Sequence, residues 1–226
     1  MSELSRERSL PFWHHEHRGE PRWPVALTVL FVNVLQFGLP NNLNIAFPHV
    51  VFGIQAILLI ALVVVNPHHI ASEDALPRRI SLALVGVMSI ANLSSVFKLI
   101  FALLNGGVSD AKHLLMVGGS IWITNVVVFA LWYWEFDRGG PAARARAKYH
   151  IPDFMFPQMS DPDLSAPHWA ANFFDYLYIS FTNSSAFSPT DVLPLTRWAK
   201  ALMLVQSLTS LVVVALVIAR AVNILH

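Results

Sequence analysis

The 226-residue chain has no cysteine. Disulfides, thiolate catalysis and cysteine metal sites are therefore excluded. Charge is scarce as well. Charged residues make up 13% of the chain, about half the share found in soluble domains. The net charge is only +1, so no nucleic-acid partner is expected. Catalytic signatures are missing too. There is no His-Glu-x-x-His, no Gly-x-Ser-x-Gly and no Gly-rich phosphate loop. Neither an enzyme nor a cofactor is expected. The first 22 residues are polar and no small-residue cleavage site follows the first apolar block, so no secretory leader is expected.

Apolar residues are abundant, at 55%, and they are clustered. Five blocks approach the length of a hydrocarbon core about 30 Å thick. They run over Trp23–Pro40, Pro48–Pro67, Ile80–Leu104, His113–Trp134 and Ala199–Leu225. The expected fold is all-α, an integral membrane helical bundle surrounded by lipid bilayer.

Basic residues set the expected orientation. Arg6, Arg8, Arg18 and Arg22 precede the first block. Arg78 and Arg79 follow the second. Arg138, Arg144, Arg146 and Lys148 follow the fourth. The opposite loops, 41–47 and 105–112, hold only Lys112. The basic regions should be cytoplasmic. A cytoplasmic C-terminus then requires one more crossing, and only residues 169–188 can supply it. Six transmembrane helices with both termini inside are expected. The alternative is five plus a re-entrant pore helix. This divides the chain into a tail (1–22), a four-span bundle (23–137), an Arg- then Pro-rich cytoplasmic linker (138–168) and a polar helix, Ser-Pro break and final helix (169–226). In the linker, Phe154, Met155 and Phe156 should face apolar surroundings.

The segment 169–191 carries an unusual density of polar groups. At 100° per residue Asn172, Asp175, Tyr176, Ile179 and Asn183 share one helical face, with Thr182 beside them. Ser184 and Ser185 follow, then Ser188 before Pro189, and Asp191. Polar groups within a membrane segment either line a water-filled path or bond neighbouring helices. The leading expectation is a path for small ions, with Asp175 drawing cations at the inner mouth and Asp191 at the outer one. A secondary transporter and a non-conducting assembly subunit are the alternatives. Elsewhere, Lys98 is expected to snorkel. Trp132, Tyr133 and Trp134 should form an interfacial belt, with Glu135 and Asp137 beyond it in water. The histidines of "HHEH", His14 to His17, read as headgroup-level groups, so no metal site is expected.

The stretch "YISFTNSSAFSPTDVLPLTRWAKALMLVQSLTSLVVVALVIARAVNIL" resembles the pore module of tetrameric potassium-selective channels. The resemblance implies a pore helix at Tyr178–Ser185, a filter at Ala186–Thr190, a post-filter acid at Asp191 and an inner helix at Leu202–Asn223. It also implies a homo-oligomer. The filter position reads "SAFSPTD" without the glycines on which that family's filter is built. The tail is also similar to an uncharacterised family of bacterial multi-pass inner-membrane proteins, which implies a bacterial plasma membrane.

Overall fold

The computed structural model describes residues 11–44, 47–65, 69–70, 75–105, 110–161, 165–185 and 191–225. The architecture is all-α. Among the described residues four helices are long and apolar enough to cross a membrane: α2 (Pro48–Val65), α3 (Ala75–Leu104), α4 (Ala111–Phe136) and α8 (Arg197–Leu225). A shorter apolar helix, α1 (Trp23–Phe37), precedes them. Two short helices, α5 (Pro141–Ala145) and α6 (Pro157–Ser160), shape the linker, and α7 (Phe173–Ser185) is the polar segment.

Local chemistry sets several boundaries. Pro24 stands in the first turn of α1, where its missing amide loses no helical bond. Asp110 caps α4 by accepting from the Lys112 amide at 3.0 Å. Gly140, at φ +98, turns the chain from α4 into α5. A Cβ there would lie 2.9 Å from the Glu135 carbonyl oxygen, so only glycine fits without a shift.

Helix α4 is the axis of the bundle; 61% of its most apolar stretch is buried, against 11% for α2. Helices α4 and α8 run antiparallel. Phe136 stacks edge-on against Trp198, Asn125 bonds Ser210, and Gly118 meets Val217. The last contact is close enough that a Cβ on Gly118 would lie 2.7 Å from a Val217 methyl. Gly118→Ala is expected to destabilise the bundle by ~1–3 kcal/mol, as overpacking does. Thermal unfolding in detergent measures this, and Val217→Ala in the same chain should restore most of the loss.

The basic regions within the described residues share one end of the bundle; Arg6 and Arg8 lie outside the described residues. A two-residue strand before α1 (β1, Glu20–Pro21) pairs with one after α2 (β2, His69–Ile70). The His17 amide donates to the Ala145 carbonyl in the linker. At this same end the linker strand β3 (Phe154–Met155) pairs with β4 (Leu193–Pro194), which leads into α8.

The expected sixth crossing falls on α7. Helix α7 starts at this end, where Phe173 stacks on Trp134, and runs inward to Phe181, which packs on Trp122. Its 13 residues span roughly 20 Å at 1.5 Å each, two thirds of a hydrocarbon core. The chain is back at the starting end by Leu193. Helix α8 then leads away from it, so the end of α8 lies opposite the N-terminal segment. The expected cytoplasmic C-terminus, from which a sixth crossing follows, has the two at one end.

The linker is not a solvated tether. Phe154 and Phe156 are buried, as expected, against Tyr133, Tyr176 and Trp198.

Candidate functional site

Two polar clusters converge on α7, one at its start and one along its inner half. The first turn of α7 is a capping box. Asn172 Oδ1 accepts from the Phe174 amide at 2.9 Å, and Asp175 Oδ2 accepts from the Asn172 amide at 2.8 Å. Asp175 thus caps the helix start.

Beneath this cap lies a charged cluster. Glu20 is its centre. One carboxylate oxygen pairs with Arg144 at 3.1 Å; the other accepts from the Trp134 indole and the Phe173 amide, both at 2.9 Å. Glu20 therefore caps α7 from a segment 153 residues away. Arg144 also donates to the carbonyls of Trp134 and Asp137 and lies over the Tyr176 ring. Tyr176 donates to Asp137 at 2.5 Å, and Asp137 accepts from the Asp153 and Phe154 amides. Asp153 accepts from the Trp198 indole and from the Arg138 amide. Asp137 is 0% exposed and Arg144 3%. Burial works against the charge on Arg144. Tyr176, Glu20 and Asp137 outweigh it and hold the guanidinium more firmly protonated than usual. Glu135, expected in water, is likewise buried and bonded to Ser81.

The second cluster centres on Gln206 of α8, itself 0% exposed. Its amide nitrogen lies 2.6 Å from both the Ser180 and the Ser184 hydroxyls and 3.0 Å from the Ser180 carbonyl. Its amide oxygen accepts from Tyr133 at 2.5 Å and from Asn183 at 2.8 Å. Asn183 also donates to the Met203 carbonyl and accepts from Ser207. Ser180 donates to the Val126 carbonyl of α4. One turn further along α8, Ser210 accepts from Asn125, which accepts from Asn92 on α3.

Of the expected site residues, Tyr176, Thr182 and Ser184 turn inward, and Asn183 and Ser185 are half-buried. Thr182 and Ser185 bond their own helix, through the Tyr178, Ile179 and Thr182 carbonyls. Asn172 and Asp191 are exposed, and Asp191 lies at the starting end rather than across the bundle. Ser188 lies outside the described residues. The structure adds Ser180, Gln206 and Tyr133 to the inner cluster, and Glu20, Asp137 and Arg144 to the outer one. Ser180 and Gln206 were visible as polar groups in apolar runs. Glu20 and Arg144 gave no such signal. Lys98 reaches the Asn44 carbonyl at the far end.

At the same end as Glu20, His14 and His17 are held neutral. Burial is the main cause for both. Arg138 adds to it at His14; at His17 Glu20 opposes it while Arg144 and Arg138 reinforce it. Their protonation is easier in the unfolded chain, near pH 6.5. The stability they contribute is present above that pH and lost as pH falls below it. The protection of amides 11–20 against hydrogen exchange, relative to the intrinsic rate at each pH, should therefore fall as pH drops below about 6.5, with little change over α4.

Compared with family models, with curated proteins and with solved structures, the chain matches none. The geometry defines a class only: an all-α chain with helices long and apolar enough for a bilayer and a shorter polar helix packed against them.

Proposed function

We propose that the chain is the subunit of an oligomeric, channel-like protein for small ions, favouring cations, in a bacterial inner membrane. It would have five crossing helices and one re-entrant helix, with the basic end cytoplasmic and the end of α8 outside. The observation that carries the reading is α7. Its last described turn lies at the depth of Gln206, and a helix running in this direction points the negative end of its dipole into the membrane interior. Such an end is tolerated at that depth only when it is covered by protein or lines a water-filled cavity, and it favours cations there. Helix α7 enters from the basic end, whereas the potassium-channel resemblance implies entry from outside. Ser180, Asn183 and Ser184 are already engaged by Gln206. Ions would therefore pass where copies of the chain meet. The apolar row Leu204, Leu208, Leu211, Ile218 and Val222 on α8 is exposed and suits such a contact or lipid.

The same hydrogen bonds favour one other reading, a non-conducting assembly subunit in which α7 is only a brace. A secondary transporter has less support, since α7 has no paired half-helix among the described residues. Flux of K⁺ and Na⁺ into proteoliposomes separates the first two. The channel reading expects flux above that of empty vesicles at equal protein content. Absence of flux from well-folded oligomer would leave the assembly reading.

A further inference from the structure

We infer that His14 and His150 form a two-histidine site for a divalent transition-metal ion. It would join the N-terminal segment to the linker at the basic end of the bundle. The inference is independent of ion conduction.

Their Nδ1 atoms lie 3.2 Å apart, although the residues are 136 positions apart in sequence. Two imidazole nitrogens bound to one tetrahedral zinc, at about 2.0–2.1 Å each, stand roughly 3.3–3.4 Å from one another. The pair is thus already spaced as a chelate. Without metal the two nitrogens can share a single proton, one as donor and one as acceptor.

The spacing is built by a neighbour. Arg138 donates from Nε to the Tyr149 carbonyl at 2.7 Å and from its terminal nitrogen to the Trp13 carbonyl at 3.1 Å. Those are the residues immediately before His150 and His14. One guanidinium therefore sets both histidines side by side. Arg138 adopts a left-handed backbone, φ +52, which is uncommon for a residue other than glycine. Its amide is fixed by Asp153 and its side chain lies over Trp13. The His14 ring packs on Trp13 at 3.6 Å between centroids. These contacts restrict the site before metal arrives.

Charge works in two directions. Burial first, then Arg138, His150 and His15, keeps His14 in the neutral form that a metal requires. The same arginine repels a dication. Ions that bind imidazole strongly, Zn²⁺ and Cu²⁺, are therefore favoured over Mg²⁺ and Ca²⁺. Among the described residues no group of three or more His, Asp or Glu could hold a metal. Water would complete the coordination.

The test is titration of the full chain in detergent with Zn²⁺ alone, read by calorimetry. One Zn²⁺ per chain is expected. His14→Ala and His150→Ala should each weaken binding at least tenfold, and the double variant should bind no more weakly than either single one. His49→Ala, on α2, should leave binding unchanged. Absence of zinc binding by the wild type would overturn the inference. So would single variants that bind as the wild type does, because zinc would then sit on other histidines.

Discussion

Gln206→Ala is expected to be the most disruptive single substitution within the apolar depth of the bundle. Each interhelical hydrogen bond in a membrane contributes on average only about 0.6 kcal/mol, and at most about 1.7. Gln206, however, bonds four side chains on two helices: Tyr133, Ser180, Asn183 and Ser184. Their loss together should destabilise the protein by ~2–4 kcal/mol. The penalty comes from stranded polar partners, not from lost volume. Gln206→Leu should accordingly be about as harmful as Gln206→Ala, although it fills most of the space. Thermal unfolding of the detergent-solubilised protein measures both. A leucine variant as stable as the wild type would mean that packing, and not the polar cluster, holds α7.

Glu20→Ala should have an effect of similar or larger size by a different route. Breaking a buried ion pair from one side leaves the other charge without its partner and typically costs about 3–5 kcal/mol. Asp137 lies close enough to Arg144 to offset part of this, so the lower end of that range is expected. The substitution also removes the acceptor for the Phe173 amide and the Trp134 indole, so α7 should loosen at its start. Arg144→Ala should cost as much. The double variant should be less destabilised than the two losses summed, since each single change strands the partner that the other removes. Chemical or thermal unfolding of the four chains gives the coupling energy directly. Additive losses would show that Glu20 and Arg144 act separately.

Much of the fold could be read from the sequence, because apolar length is a strong signal. The block Pro48–Pro67 is α2, Pro48–Val65, and the block Ala199–Leu225 is α8, which begins two residues earlier at Arg197. Inward burial of Phe154 and Phe156 also followed from composition. The path of α7 did not. Hydropathy registers how apolar a segment is, not how deep it goes, and the polar residues of α7 are compatible with crossing or returning. The Asn172-x-x-Asp175 spacing is a legible capping signal, and it places the helix start where the structure has it. Glu20 and Arg144 were hidden for another reason. An arginine-rich run beside a span reads as topology alone, and nothing local distinguishes Arg144, which is buried, from Arg146, which is exposed. Their meeting depends on a fold that brings residues 124 positions apart into contact.

The claim on which the rest depends is that α7 enters and leaves at one end of the bundle. The absence of cysteine makes this directly measurable. Single cysteines at Glu16, Asp191, Asp110 and Asn223, all exposed positions, can be labelled in intact and lysed cells with a membrane-impermeant maleimide. The account predicts that Glu16 and Asp191 share one pattern while Asp110 and Asn223 share the opposite one. If Asp191 instead labels with Asp110, and Asn223 with Glu16, α7 crosses the membrane and the re-entrant reading is wrong.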